Sequence, residues 1–297
     1  GRELVLPDAN HPPMPELAPP GVILDGEPVP GFGSIDGSLG YPDVRSHRRK
    51  LGLLVPATNT SMEHELWSIL RANEAAGLDG VGLHTANVVT PRPVLRSEAD
   101  LLEYRRQFLE GMGAAIDQVL LAEPQYVIVG MSLEHILRGI DAVRAPMVEA
   151  EERAGVPLTT CHDAIDAALR AVGATRIGLL MPYDRPGCDN ARVMFSELGY
   201  EVVAAVGFSC ANALHIAHVP DWAKEKAIRE LLATPANRLD AVVQVGTNMS
   251  LSQLAERLEP QLGIPILGIN AVTLWHALRE NGFLAPLAGG GRLLREH

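Results

Sequence analysis

The chain has 297 residues, 47% of them apolar, and carries a formal charge of −11. This length and apolar content predict large buried cores and two domains of ordinary size. The acidic balance, without any run of Lys or Arg, argues against a nucleic-acid surface, so an anionic ligand would have to be bound by local donors.

Two further features bear on the cellular compartment in which the protein is expected. No apolar stretch approaches the roughly 18 residues that a membrane span needs, and the N-terminus shows no basic segment followed by an apolar one. The cysteines Cys161, Cys188 and Cys210 are odd in number and lack metal-like spacing. This pattern is typical of reduced thiols. We therefore expect a cytoplasmic protein without a membrane segment.

Residues 1–48 are rich in Pro and Gly and show neither helical nor strand periodicity. This composition is typical of an arm rather than of a domain. Val22-Ile-Leu24 and Phe32 give the arm apolar groups with which it could hold a partner subunit, whereas a mobile lead-in is the alternative. We expect an ordered arm and a homo-oligomer.

The first strand-turn-helix corner follows the arm. Residues 51–55 form a short apolar run, Pro56 ends the strand, and Thr60 opens a Thr-Ser-Met-Glu capping box before a helix at 62–70. Such a corner offers free backbone N–H groups to a carboxylate or phosphate. For Thr60 alone a simple helix cap is the better explanation. Asn59 could merely turn the chain, but the repeat of this corner favours a binding role for it.

The corner occurs twice in the sequence. Residues 176–183, Arg-Ile-Gly-Leu-Leu-Met-Pro-Tyr, copy residues 50–57 almost position for position, and the apolar runs 126–130 and 241–246 both end in Gly. Internal repeats report how a fold was assembled. We therefore predict an α/β protein of two pseudo-symmetric, doubly wound parallel-sheet halves, with the active site in the cleft between them.

The predicted boundaries and elements follow in chain order. The arm spans 1–48, the first half 49–172, the second half 173–285 and a Gly-rich tail 286–297. The first half has further strands at 80–89, 126–130 and 156–160, and helices at 97–121, 136–143 and 163–172. The second half has strands from 177, at 202–206, 241–245 and 265–269, and helices at 190–198, 222–232, 251–262 and 271–279.

The carboxyl ends of parallel strands carry the ligand-facing loops. The cleft should therefore gather Asn59, Tyr183 and the loops after Gly130 and Gly246. Polar residues directly after a buried strand are expected to bind, which points to Ser132, whereas solvent exposure at a helix start is the alternative for Glu134 and His135.

With these residues in place, the chain resembles the aspartate/glutamate racemase superfamily, in particular its branch of maleate cis-trans isomerase and arylmalonate decarboxylase. The resemblance covers roughly residues 48–285. It rests on Gly-Leu-Leu-Val-Pro-Ala-Thr-Asn-Thr-Ser-Met-Glu at 52–63, on Met-Pro-Tyr at 181–183, and on residues 240–270 leading to Trp275 and Gly282. The arm before residue 48 has no counterpart in this pattern.

The resemblance implies two halves enclosing a small carboxylate, with one cysteine possible from each half acting on opposite faces of the substrate. Both cysteine positions fall on glycines here, Gly130 and Gly246, which puts two-cysteine racemisation and thiol addition to a double bond in doubt. The resemblance also implies which residues bind the substrate. A carboxylate would be bound by Asn59, Tyr183 and Asn212, and an enediolate by the pocket of Gly130, Met131 and Ser132. The second half would add donors from Gly246, Thr247 and Asn248, and further substrate contacts would come from Thr60 and Asn270.

Without a thiol, the proton must come from another group. Glu134 and His135 are the nearest ionisable residues, and hydroxyl donors from Ser132 and Tyr183 can stabilise an enolate; His162 and His215 are weaker candidates. The leading hypothesis is a lyase or isomerase that needs no cofactor and acts on a small mono- or dicarboxylate. A hydrolase or ring-opening enzyme using Glu134 or His135, and a non-catalytic small-acid-binding protein with Glu134 facing solvent, remain open. The sequence shows neither metal-ligand spacing nor a dinucleotide fingerprint.

Overall fold

The computed structural model describes residues 22–29, 43–90 and 98–297. The chain forms two units, Gly1–Arg45 and Ser46–His297. They are treated separately below.

In the first unit, the described residues include an antiparallel hairpin of β1 (Ile23–Leu24) and β2 (Glu27–Pro28). Asp25 and Gly26 between them both have positive φ, 49° and 88°, as a two-residue turn matching the strand twist requires. The sequence analysis did not anticipate this hairpin, for which the Asp-Gly pair was the missed signal. Much of the predicted arm, Phe32 included, lies outside the described residues.

The second unit contains two four-stranded parallel sheets built on one plan. The first sheet has the order β4-β3-β5-β6 and the second the order β8-β7-β9-β10. Their strands are β3 (Arg49–Pro56), β4 (Val81–Val88), β5 (Tyr126–Val129), β6 (Leu158–Thr160), β7 (Arg176–Met181), β8 (Glu201–Gly207), β9 (Ala241–Gln244) and β10 (Ile266–Gly268). The prediction of two related parallel-sheet halves is confirmed.

Helices follow the parallel strands along the chain. They are α1 (Met62–Ala72), α2 (Glu98–Leu120), α3 (Ile140–Ala154), α4 (Cys161–Ala171), α5 (Arg185–Glu197), α6 (Asp221–Ala227), α7 (Ser252–Leu262), α8 (Ile269–Glu280) and α9 (Arg292–Glu296). The helix α6 continues as a π-helical turn, Ile228–Leu232. Within the described part of the chain, no helix is long and apolar enough to cross a membrane.

The two halves share one hydrophobic core. Leu53 of β3 and Leu179 of β7 are both fully buried and belong to the same cluster of core side chains. Central parallel strands are covered on both faces, which explains their nearly continuous apolar runs. Helix α4 of the first half packs against α8 of the second, so the junction between the halves is part of the core.

Several predicted boundaries needed correction. The helix predicted at 136–143 begins at Ile140, because Gly139 has a φ of 87° and the Glu197 carboxylate accepts from the Ile140 N–H at 2.6 Å. The helix predicted at 190–198 begins at Arg185, because the Asp184 side chain caps it by accepting from Gly187 N at 3.1 Å. The last predicted strand ends at Gly268, and α9 within the predicted tail was missed.

The first corner also differs from its prediction. No capping box forms between Thr60 and Glu63, because the helix α1 starts after Ser61, which makes no side-chain cap. Asn59 takes this role, since its Oδ1 accepts from the N–H groups of Ser61 and Met62 at 3.0 Å each. The side-chain oxygen of Asn59 is therefore committed to the helix.

Candidate active site

The carboxyl ends of β5 and β9 meet at the junction of the halves. The backbone N–H of Gly246, which follows β9, donates to Ser132 Oγ at 3.1 Å. The Thr247 hydroxyl donates to the carbonyl of Gly130, which follows β5, at 3.1 Å. The corresponding loops of the two halves are thus in direct contact. The strand order places them side by side, because β5 and β9 occupy equivalent inner positions.

A buried pair of ionisable groups lies at this junction. The Tyr183 hydroxyl donates to Glu134 Oε1 at 2.8 Å, and the Ser132 hydroxyl lies close enough to both side chains to lower their pKa values. Glu134 is only 3% exposed and Tyr183 only 7%. The first half supplies the carboxyl group and the second half supplies the phenol.

Burial sets the protonation of this pair. It raises the pKa of Glu134 above its ordinary value, although hydrogen bonds from its own backbone N–H, Tyr183 and Ser132 oppose the rise. Burial, and then the neighbouring Glu134, raise the pKa of Tyr183 well above that of a free phenol. Glu134 therefore stays protonated to a higher pH than an exposed glutamate, and Tyr183 stays a neutral donor.

His135 lies against the aromatic ring of Tyr183. The two rings stack with centroids 4.8 Å apart and planes inclined by 14°. Burial lowers the pKa of His135 to about 4, against smaller opposing effects of the Ser132 backbone and Asp184. The imidazole is therefore neutral at pH 7. Its Nδ1 is buried and makes no hydrogen bond to the described residues.

The first corner faces the second half. The side-chain nitrogen of Asn59 donates to Thr247 Oγ1 at 2.9 Å, and the N–H of Thr60 donates to Asn248 Oδ1 at 2.9 Å. Asn248 Nδ2 in turn donates to the carbonyls of Thr58 and Ala213 at 3.1 and 3.0 Å. The structure thus brings four of the predicted binding residues together, all as neutral groups.

Of the other predicted binding residues, some lie near the pair of Glu134 and Tyr183 and one does not. Met131 is buried beside Ser132, and Asn270 Nδ2 donates to the Thr247 carbonyl at 2.9 Å. Asn212, in contrast, is exposed, and its Oδ1 accepts from the N–H of His215. The structure does not place the Asn212 side chain in the cluster, because its loop follows the edge strand β8.

The two glycines at the expected cysteine positions have little room for a side chain. A Cβ on Gly130 would lie 2.5 Å from Met62 Sδ and 2.8 Å from the Leu54 carbonyl. A Cβ on Gly246 would lie 2.6 Å from Pro182 Cγ, and Gly246 has a φ of 94°, which side chains disfavour. Glycine thus suits the backbone at both places.

The cysteines lie elsewhere. The thiol of Cys161 is fully buried, donates to the carbonyl of Val129 at 3.5 Å and accepts from Thr273 Oγ1 at 3.7 Å. Burial raises the pKa of Cys161 to about 12. Cys188 contacts the carbonyl of Tyr183 through its sulfur at 3.6 Å, and burial raises its pKa as well. Neither thiol favours the thiolate form at neutral pH.

The sequence-based reasoning missed Glu65. Its carboxylate bonds to Asn270 and to the start of α7, which connects it to the residues around Thr247. A signal was available in the sequence, because Glu65 falls on the apolar stripe of α1 with Met62, Leu66 and Ile69. A carboxylate on a buried helix face needs hydrogen-bond partners.

Among the residues that the structure describes, no three His, Cys, Asp or Glu side chains are grouped so that they could hold a metal ion. The ionisable groups at the junction are Glu134, His135 and Tyr183. A buried acid, a neutral imidazole and several neutral donors can bind an anion and transfer a proton.

Comparisons with known proteins identify related sequences. The sequence model of the family described as arylmalonate decarboxylase matches residues 120–294. The maleate isomerase of Nocardia farcinica is 27% identical over 252 residues, covering 84% of this chain and 96% of the relative. That of Geobacillus stearothermophilus is 19% identical over 247 residues, covering 82% of this chain and 96% of the relative.

Solved structures share the fold. The maleate isomerase Iso of Pseudomonas putida S16 superposes with a TM-score of 0.70 at 20% identity, covering 84% of this chain and 98% of that one. Arylmalonate decarboxylase superposes with a TM-score of 0.63 at 18% identity, covering 84% and 100%. Since the family match spans more than half of the sequence, the chain belongs to the arylmalonate decarboxylase family of enzymes.

Proposed function

We propose that this enzyme is a cofactor-independent lyase or isomerase that acts on a small mono- or dicarboxylate through an enolate-like intermediate, with Glu134 rather than a cysteine as its proton carrier. The observation that carries the proposal is the buried contact between the Tyr183 hydroxyl and Glu134 Oε1, 2.8 Å long, at the junction of the halves. The relatives named maleate isomerase and the family name support the reaction class.

Neutral donors would hold the substrate. Asn59, Thr60, Thr247 and Asn248 already form a connected set around the second-half turn. A carboxylate entering this set would replace some of their mutual hydrogen bonds. Donors aimed at developing negative charge stabilise an enolate without moving in the transition state.

In a decarboxylation, the bond between the α-carbon and the departing carboxylate breaks and carbon dioxide leaves. The electron pair stays on the remaining fragment as an enediolate, whose oxygens accept hydrogen bonds from Tyr183 and Ser132. Glu134 then gives its proton to the α-carbon and takes a new one from water. One proton is consumed and one carbon dioxide is released, so the step balances without a thiol.

The alternatives draw less support from the site. A hydrolase would need His135 or Glu134 as a base, but burial lowers the pKa of His135 to about 4 and raises that of Glu134. A His135 with that pKa is a weak base, and the raised pKa of Glu134 favours the protonated form, which cannot act as a base. The non-catalytic hypothesis expected Glu134 to face solvent, whereas the residue is 3% exposed.

Turnover of a panel of small mono- and dicarboxylates by the wild-type protein tests the proposal. Glu134→Gln should lower kcat by roughly 100-fold to 10,000-fold, as loss of a general acid does, and Ser132→Ala should lower it less. His135→Asn should leave proton transfer in place. Glu152→Gln, an exposed position on α3, is the matched control and should keep full turnover. Full activity of Glu134→Gln would overturn the proposal.

A further inference from the structure

We propose that Glu65 is a positioning residue of the candidate active site, a role that rests on the proposed function of that site. It acts through Asn270 and holds residues 246–249 of the second half, the Thr247 turn, against the loop that begins at Gly130 in the first half. Neither the sequence patterns nor the comparisons assign this residue a role.

The location of Glu65 requires partners. It lies on the buried face of α1 and is 6% exposed. Burying a carboxylate is costly unless several donors satisfy its oxygens. Each oxygen of Glu65 has such donors, and they come from two different segments of the second half.

One oxygen caps a helix across the junction. Glu65 Oε1 accepts from the backbone N–H groups of Leu251 and Ser252 at 2.9 and 2.8 Å. These groups lie at the start of α7, whose own cap residue, Leu251, provides no side-chain hydrogen bond. An anion at a helix N-terminus is stabilised by the unpaired N–H groups and by the helix dipole. This oxygen therefore contributes to stability.

The other oxygen orients an amide. Glu65 Oε2 accepts from Asn270 Nδ2 at 2.7 Å, and the same nitrogen donates to the carbonyl of Thr247 at 2.9 Å. Both partners can only accept, so the amide must turn its nitrogen towards them. Glu65 thus fixes which end of the Asn270 side chain faces the Thr247 turn.

The Thr247 turn carries this constraint to the catalytic pair. Thr247 Oγ1 donates to Gly130 O, and the adjacent Gly246 N–H donates to Ser132 Oγ. Ser132 lies close enough to Glu134 and Tyr183 to lower the pKa of both. Hydrogen bonds and one peptide unit therefore link Glu65 to Ser132, which neighbours the proposed proton carrier.

Glu65→Gln separates the two roles of the carboxylate. The amide oxygen of the variant can still accept from Leu251 and Ser252, whereas its NH₂ group would face the donating nitrogen of Asn270. Rotation of Asn270 would relieve that clash but would leave the Thr247 carbonyl opposite an oxygen. We expect kcat to fall roughly tenfold to 100-fold, the size expected for a small misplacement of catalytic groups, with a nearly unchanged KM and a modest fall in melting temperature from the lost charge at the start of α7.

Glu259→Gln is the matched control. Glu259 is also a buried carboxylate that accepts from backbone N–H groups, those of Ile266 and Arg292, but it belongs to α7 and fixes α9. Its variant should lose stability and keep kcat. If Glu65→Gln behaved like Glu259→Gln, the residue would be structural and the proposal would be wrong.

A double-mutant cycle tests the route through Asn270. If Glu65 acts through that amide, Glu65→Gln combined with Asn270→Ala should be no slower than Asn270→Ala alone. Independent effects would instead multiply. A double variant that is slower by the product of the two single effects would overturn the proposed route.

The groove beside Glu65 allows a chemical rescue. Glu65 borders an open groove of about 260 Å³ that is also lined by His64, Ser68 and Ser252. Formate or acetate should therefore reach the space left by Glu65→Ala and raise its kcat, while neither anion should activate Glu134→Gln. Absence of rescue in a folded Glu65→Ala protein would count against a role for the carboxylate itself.

Hydrogen exchange separates this inference from the proposed function. Without any substrate, Glu65→Gln should speed exchange of the amides at 246–249 and leave those early in α7 at the wild-type rate. If wild type turned over no carboxylate, the proposed function would fail while this result still tested the positioning role. Unchanged exchange at 246–249 would overturn the positioning role even if Glu134→Gln were inactive.

Discussion

The loops after β5 and β9 hold equivalent places in the two sheets but differ in chemistry. The loop after β5 carries the buried Glu134 and the neutral His135. The loop after β9 carries Gly246, Thr247 and Asn248, which offer a backbone N–H, a hydroxyl and an amide. The two sheets share one backbone plan, and in the proposed mechanism the loop after β5 carries the proton transfer whereas the loop after β9 supplies neutral binding groups.

The division has a physical basis. Two carboxyl groups facing each other across the junction would interact, and ionisation of one would oppose ionisation of the other. A single acid next to neutral donors avoids that repulsion and leaves room for an anionic substrate. It also places the proton on one side, so a prochiral enolate would receive it on one face.

The largest expected effect is loss of the hydrogen bond that joins the halves at Glu134. Tyr183→Phe removes the hydroxyl whose one hydrogen is donated to Glu134 and would turn to the developing enolate, and should lower kcat by roughly 100-fold to 1,000-fold. Steady-state turnover of an accepted carboxylate measures the loss.

A matched tyrosine sharpens this test. The Tyr200 hydroxyl donates to Asp166 Oδ1 at 2.7 Å and is also buried, but it has no hydrogen bond to Ser132, Glu134 or His135. Tyr200→Phe should keep kcat and lose a similar amount of stability. Equal kcat losses in the two variants would mean that the Glu134 contact has no special role.

The repeat itself was the most predictive part of the sequence. Copying of residues 50–57 at 176–183 predicted two parallel-sheet halves, and the Gly ends of β5 and β9 predicted which loops meet. These features are local and periodic, so the sequence displays them directly. The start of α3 was misplaced because it depends on Glu197, 57 residues away from Ile140, and such a cap leaves no local pattern.

The site was predicted unevenly for the same reason. Ser132, Glu134 and Tyr183 follow buried strands and could be named, whereas the direction of the Asn212 side chain depends on how an edge loop turns. Glu65 was missed because its partners, Asn270 and the start of α7, lie about 190 residues or more further along the chain.

The second prediction concerns the glycine of the second loop. Gly246→Ala should lower the free energy of unfolding by about 1–2 kcal/mol through its positive φ and by about 1–3 kcal/mol more through contact with Pro182. Gly263→Ala is the control, because Gly263 has a φ of 74° and open space around its Cβ position. Urea unfolding of both variants would measure the difference, and equal losses would show that the packing at Gly246 is relaxed.

The third prediction uses the raised pKa of Glu134. Its native pKa exceeds the ordinary value of 4.5, so the folded protein keeps a proton that the unfolded chain releases. The free energy of unfolding should therefore fall as pH rises from about 4.5 through the native pKa of Glu134. Glu134→Gln should lack this contribution, and the difference between wild type and variant in urea midpoints across pH isolates it.

The protonation state of Glu134 should also determine the rate of turnover. Since the protonated carboxyl group donates, kcat should fall as pH rises through the native pKa of Glu134. A kcat that rises with pH over this range would mean that Glu134 acts as a base, which takes a proton from the substrate instead of giving one.

The smallest expected effect comes from the thiols. We expect essentially unchanged kcat in each of the variants Cys161→Ser, Cys188→Ser and Cys210→Ser. Glycines, Gly130 and Gly246, stand at the two positions where the resemblance implies cysteines, and burial raises the pKa of all three thiols. Alkylation of the partly exposed Cys188 and Cys210 with iodoacetamide should likewise spare turnover. A large loss in Cys161→Ser with unchanged stability would be different, because that thiol lies close enough to Glu134 for the carboxylate to raise its pKa. Sulfur would then share the proton transfer, and the division of chemistry between the two loops would have to include the start of α4.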